Sequence, residues 1–172
     1  MDKKEKTGSS VTGNHRTIGL LHFLLFTLLL GGCAVSNTKR AEPDHLMNKA
    51  LPVWAESREK EMNLTLGFRG VFHSDPQSET ILRVAASTVY RLFLNGEFVG
   101  SGPARAGHGY FRVDRYDLSG HVKEGENIVA IEVAGYNVNT YYTTDQPSFL
   151  QAEAAVDGRV VLHTGDNEHF EA

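Results

Sequence analysis

From Leu64 onward, apolar side chains recur at every second residue in short runs, and Gly, Asn or Asp residues punctuate the gaps between runs. That rhythm is the period of a strand with one face covered, and a helical period is not found alongside it. In LTLGFRGVF the apolar positions Leu64, Leu66, Phe68 and Phe72 alternate with Thr65, Arg69 and His73. The run ILRVAAS offers Leu82, Val84 and Ala86, and NIVAIEV offers Val129, Ile131 and Val133. Each set is expected to face a common core.

The turns sharpen this picture. Asn95 and Gly96 split RLFLNGEFV; both residue types tolerate positive φ, so they suit a two-residue hairpin. The expected register pairs Leu94 with Glu97, Phe93 with Phe98 and Leu92 with Val99. Asp157 and Gly158 signal a second hairpin, and DLSGHVKEGEN reads as a long crossover into the NIVAIEV strand. Two hairpins and a crossover predict an all-β fold, an antiparallel jelly-roll β-sandwich over residues 62–172. RVVLHTGDNEHFEA runs from a clear strand into polar residues, so the last sheet is expected to present an unpaired edge.

Residues 33–61 are polar, contain Pro43 and Pro52, and read as a tether and lead-in to the sandwich. Trp54 stands out there as a plug for the domain edge. Upstream, Lys3, Lys4, Lys6 and Arg16 precede the apolar run GLLHFLLFTLLL, followed by Gly31, Gly32 and Cys33. This order of charged, apolar and small residues marks residues 1–32 as a secretory signal peptide. The tetrapeptide LGGC resembles the lipobox of bacterial lipoproteins, which implies lipidation at Cys33 and a membrane partner reached through the lipid, in the cell envelope on the periplasmic or cell-surface side.

Cys33 is the single cysteine, so no intramolecular disulfide and no cysteine-based zinc site is possible. The formal net charge of -4 argues against nucleic acid as a partner. Histidines occur without metal-ligand spacing, and neither a metal nor another cofactor is expected.

The succession VYRLFLNGEFVGSGPA, GYFRVDRYDLS and HVKEGENIVAIEVAGYN resembles the N-terminal β-sandwich domain of bacterial α-L-rhamnosidases, and more loosely the galactose-binding-like sandwich of β-galactosidases. The resemblance covers roughly residues 64–155. It implies a galactose-binding-like fold and an accessory module, because enzymes of that family carry their catalytic acids on a separate α/α-barrel. No catalytic residue transfers to this chain, and the implied partner is a catalytic domain downstream or in trans.

The residues themselves agree on catalysis. Asp114, Asp117, Glu132, Asp145 and Glu153 are the candidate carboxylates, yet nothing pairs two of them across a glycosidic bond in a recognised constellation. Sugar binding is better provided for. The segment GYNVNTYYTTDQPSF concentrates Tyr136, Asn137, Asn139, Tyr141, Tyr142, Asp145 and Gln146, and Arg105 is a candidate for the same end of the sandwich. Aromatic faces and planar amide, carboxylate or guanidinium groups are what a pyranose requires. A loop of that length and composition also suits docking against a catalytic domain. The expected function is a non-catalytic module of an α-L-rhamnosidase-like glycoside hydrolase, binding carbohydrate such as a rhamnose-containing glycan or bracing the catalytic domain. The alternative is a stand-alone surface lipoprotein that binds a glycan or a protein.

Overall fold

A computed structural model describes residues 46–107, 109–141, 143–166 and 170–172. Residues 1–32, expected to be a signal peptide, and Cys33 lie outside the described residues. Among those described there is no helix, and nine strands form two antiparallel sheets. The strands are β1 (Leu64–Ser74), β2 (Thr80–Ala86), β3 (Tyr90–Leu94), β4 (Glu97–Gly102), β5 (Asp114–Asp117), β6 (Gly125–Gly135), β7 (Leu150–Val156), β8 (Arg159–His163) and β9 (Phe170–Glu171). One sheet runs β4-β3-β6-β1-β9 and the other β5-β2-β7-β8. The chain passes repeatedly between them, so the expected all-β antiparallel sandwich is what forms.

The alternation places the core as expected. Phe68 and Phe72 of β1, Leu92 of β3, and Val129, Ile131 and Val133 of β6 meet Leu82, Val84, Ala152, Ala154 and Leu162 of the opposite sheet. Each such buried Val, Leu, Ile or Phe contributes on the order of 1.5–3 kcal/mol relative to exposure. In β2 the pattern goes further than alternation foretold, since Ile81 and Ala85 are buried on the strand's other face as well.

Both hairpins turn on residues with positive φ: Asn95 at 52° and Gly96 at 88°, Asp157 at 48° and Gly158 at 76°. The first two expected pairs, Leu94 with Glu97 and Phe93 with Phe98, are present, but Leu92 faces Gly100 and Val99 is the extra residue of a bulge. The second hairpin repeats the device: Val156 faces Arg159, Ala155 faces Val160, then Ala154 faces Leu162 past Val161. A bulge adds twist to a strand while leaving its hairpin intact. Val99 and Val161 both pack against the core.

The two turn motifs are physically joined. Asn127, fully buried, accepts from Lys123 N at 2.9 Å and from Asn95 Nδ2 at 2.9 Å through its Oδ1, and its Nδ2 donates to the carbonyls of Lys123 and Gly125. Asn95 Oδ1 in turn accepts from Ile128 N at 3.0 Å. Asn95 therefore serves both its own turn and the bend at residues 123–125 that leads into β6.

GYFRVDRYDLS contributes less strand than its aromatics suggest, since β5 covers only Asp114–Asp117. Its work is to close the side of the sandwich where β4 and β5 border opposite sheets. Tyr90 Oη donates to Asp114 Oδ2 at 2.7 Å and lies 2.8 Å from Tyr116 Oη, while Arg112 Nε donates to Asp114 Oδ1 at 3.0 Å. Burial, and then the bonds to Tyr116 and Asp114, push the Tyr90 phenol well above its ordinary range. Asp114 is thus no plain solvent carboxylate.

The glycines of GSG make room for this cluster: a Cβ on Gly102 would lie 2.7 Å from Tyr90 Oη, and one on Gly100 would lie 2.8 Å from Tyr116 Cε1. Gly102→Ala is expected to destabilise the fold by about 1–3 kcal/mol, read as a lowered thermal midpoint. An unchanged midpoint would mean that the cluster does not depend on this approach.

Residues 46–61, within the stretch read as tether and lead-in, lie against the sandwich. Leu51 N donates to Thr164 O, and Val53 exchanges backbone bonds with Leu150. Glu153 is fully buried and its Oε2 accepts from the backbone of Asn48 (2.9 Å), Lys49 (2.6 Å) and Ala50 (3.2 Å). Trp54 does pack at the domain edge, its ring 5.8 Å from that of Phe68. The C-terminal residues also differ from expectation. Phe170 is buried and β9 pairs with β1, while β8 remains the border of its own sheet.

Candidate functional site: the aromatic end of the sandwich

The loop from Tyr136 to Phe149 leaves β6 and enters β7, so its two ends are fixed by neighbouring sheets. Both are fastened to one carbonyl. Glu59 O accepts from Ser148 N at 2.7 Å and from Asn137 Nδ2 at 3.4 Å, and Asn63 N donates to Tyr136 O. Asn137 adopts φ of 43°, which Asn tolerates better than most residues. Gly135, just before, leaves no space for a side chain, since a Cβ there would sit 2.6 Å from Ser148 Oγ and 2.7 Å from Trp54 Cζ2.

The polar residues singled out in this loop divide by role. Asn137 is buried and ties the loop to Glu59. Asn139 Oδ1 accepts from Asp145 N at 2.8 Å, which closes a turn around Thr140 and Thr143. Gln146 Nε2 donates to Ser87 O at 2.8 Å. These three side chains hold the loop's shape. Tyr136 and Tyr141 face solvent instead, Tyr141 with 89% of its surface accessible. Asp145 and Arg105 are exposed too. Tyr142 lies outside the described residues.

Two aromatic residues that the sequence reading passed over belong to the same end. Phe111, from the loop between β4 and β5, packs edge-on against Phe149 with centroids 4.7 Å apart. Its neighbour Tyr110 is 78% exposed. The pair brings the loop that carries Arg105 against the base of the tyrosine loop. The adjacent letters YF ahead of VDRYD were the available clue, masked by their resemblance to a strand.

The carboxylates occupy separate structural posts. Glu153 is buried under residues 48–50, Asp114 holds Tyr90, and Asp117 Oδ1 accepts from Ser119. Glu132 pairs with Arg91 on the outer face of the five-stranded sheet. Among the described residues no group of His, Cys, Asp and Glu is placed to hold a metal ion.

No protein-family model and no curated protein matches the chain. Solved structures do match. A GH78 family rhamnosidase of Bacillus sp. GL1 aligns with a TM-score of 0.63 and 32% identity, over 67% of this chain and 12% of that enzyme. The sandwich is similar to one part of a rhamnosidase. An α-L-rhamnosidase of Streptomyces avermitilis complexed with L-rhamnose aligns with a TM-score of 0.54 and 17% identity, over 71% of this chain and 12% of that one. The enzyme of Aspergillus terreus gives 0.52 and 20%, over 66% and 15%. The last two share the fold. This chain spans only 12–15% of the length of these rhamnosidases.

Proposed function

We propose that this sandwich is a non-catalytic module of an α-L-rhamnosidase-like glycoside hydrolase and that its aromatic end binds carbohydrate, a rhamnose-containing glycan being the first choice. The observation that carries this reading is the 32% identity to the Bacillus enzyme over two thirds of the chain, against 12% of that enzyme's length. The site supplies the rest of the support. Tyr136, Tyr141, Tyr110 and the Phe111–Phe149 pair present ring faces and edges, and Asp145 and Arg105 add exposed planar charged groups. The reading includes the N-terminal placement of the module ahead of a catalytic domain, and its attachment to the cell envelope through lipid on Cys33. That attachment is supported by the charged, apolar and small-residue order of residues 1–33.

Binding is tested by calorimetric or fluorescence titration of residues 46–172 with rhamnose-containing oligosaccharides. Weak saturable binding is expected. A sugar face laid on one tyrosine ring removes on the order of 40–80 Å² of apolar surface from water, about 1–2 kcal/mol, so Tyr141→Ala is expected to weaken binding at least fivefold. If no glycan binds and a purified catalytic domain instead protects residues 136–149 from hydrogen exchange, the end is a docking surface.

A further inference from the structure

The outer face of the five-stranded sheet holds a feature that the loop site does not use. Between β3, β6 and β1 lies an open groove of about 210 Å³, lined by Thr65, Val89, Arg91, Glu132, Ala134 and Tyr136. Its floor follows from register. Thr65 pairs with Ala134, and Gly67 faces Glu132, so the floor between β6 and β1 is made by small residues. Larger ones rise around it. Arg91 and Glu132 are cross-strand partners whose side chains bond through Arg91 Nε to Glu132 Oε2 at 3.0 Å. Val89, 51% exposed, and Tyr136 stand at the other end.

We propose that this groove is a second carbohydrate site and that it takes a single terminal 6-deoxyhexopyranose. The inference rests on the carbohydrate reading above for its ligand class, and of the groove's residues only Tyr136 is shared with the loop site. The volume falls below the ~300–1,000 Å³ of pockets for drug-sized ligands and suits one sugar ring. The guanidinium and carboxylate lie side by side, which offers donors and acceptors together to a pair of vicinal hydroxyls. The partners are already paired with each other, so neither charge is left stranded when a sugar displaces water. Val89 is an aliphatic group exposed beside an aromatic ring. A C6 methyl can cover it, whereas a C6 hydroxyl placed there would be desolvated without a partner.

The test is a methyl-resolved NMR titration of residues 46–172 with methyl α-L-rhamnopyranoside and with methyl α-L-mannopyranoside, which differ only at C6. The Val89 methyls and the Arg91 Nε–H are expected to shift saturably with the rhamnoside. The mannoside is expected to bind there at least fivefold more weakly. Arg91→Ala at an exposed position and Glu132→Gln at a half-buried one should weaken the rhamnoside at the groove at least tenfold, with Arg91→Lys not restoring it. Tyr141→Ala should leave the groove unaffected.

Rhamnoside shifts confined to residues 137–149, lost in Tyr141→Ala and intact in Arg91→Ala, would overturn the groove while the loop reading stands. Equal affinity of the groove for the two sugars would overturn its preference for a deoxysugar. Absence of any shift with either sugar would overturn the groove, and with no oligosaccharide binding either, the carbohydrate reading falls too.

Discussion

Glu153→Ala is expected to destabilise the fold by about 3 kcal/mol and to release residues 48–50 from protection against hydrogen exchange. A hydrogen bond to a charged group is worth about 1.5–3 kcal/mol net, and Glu153 Oε2 receives three from successive backbone amides. The sum overstates the loss, because Asn48 and Lys49 are exposed and their amides can turn to water once the carboxylate is gone. Glu153 Oε1 is buried and has no hydrogen-bond partner among the described residues, so the residue is held inside at some cost and its three amide bonds must outweigh it. Glu153→Gln keeps an acceptor but loses the charge, and its effect should fall between wild type and alanine. Unchanged exchange at residues 48–50 in Glu153→Ala would show that other contacts hold this segment.

The second large effect is expected at Asn127. Its amide is fully buried, with both its oxygen and its nitrogen engaged twice. Alanine would strand the Lys123 amide and two carbonyls and would remove the anchor for Asn95. At about 1–3 kcal/mol for each buried group left unsatisfied, partly relieved by water at the turn, Asn127→Ala should cost about 3–4 kcal/mol. Urea unfolding should show a lower midpoint at constant slope. Asn127→Asp retains both acceptances but sets a buried carboxylate oxygen against the carbonyls of Lys123 and Gly125, so a loss at least as large as alanine's is expected. A loss below about 1 kcal/mol for alanine would show that the two turns form independently.

The turns and the alternation were readable because their causes are local. Asn95-Gly96 and Asp157-Gly158 fix hairpins through their own φ preferences, and the inward residues of β1 and β6 follow from period two. What escaped depends on residues distant in sequence. Whether Val99 pairs with Leu92 or bulges past it is not a property of either residue, since strand register permits both. Ile81 and Ala85 show the same limit on β2, and Glu153 resembles any solvent-side residue of a strand until residues 48–50 lie on it.

The candidate site divides in the same way. Composition drew the eye to the tyrosine loop, but it could not separate Asn137, Asn139 and Gln146, which shape the loop, from Tyr136 and Tyr141, which face outward. Tyr110 and Phe111 belong to the same end through one contact, Phe111 with Phe149, between residues 38 positions apart. The groove beside Tyr136 needed register, because only pairing of β3 with β6 sets Arg91 next to Glu132.

The paired bulges have a consequence for neighbours of this domain. The four borders of the two sheets are β4, β9, β5 and β8. Two of them, β4 and β8, lose regular spacing just beyond their turns, at Val99 and Val161, and the other two are only four and two residues long. Along β4 and β8 a foreign strand would meet a bulge in place of an even ladder of amides and carbonyls, which discourages edge pairing there. Those two borders can therefore lie against other polypeptides, inside a larger chain or beside another copy, without extending the sheets sideways.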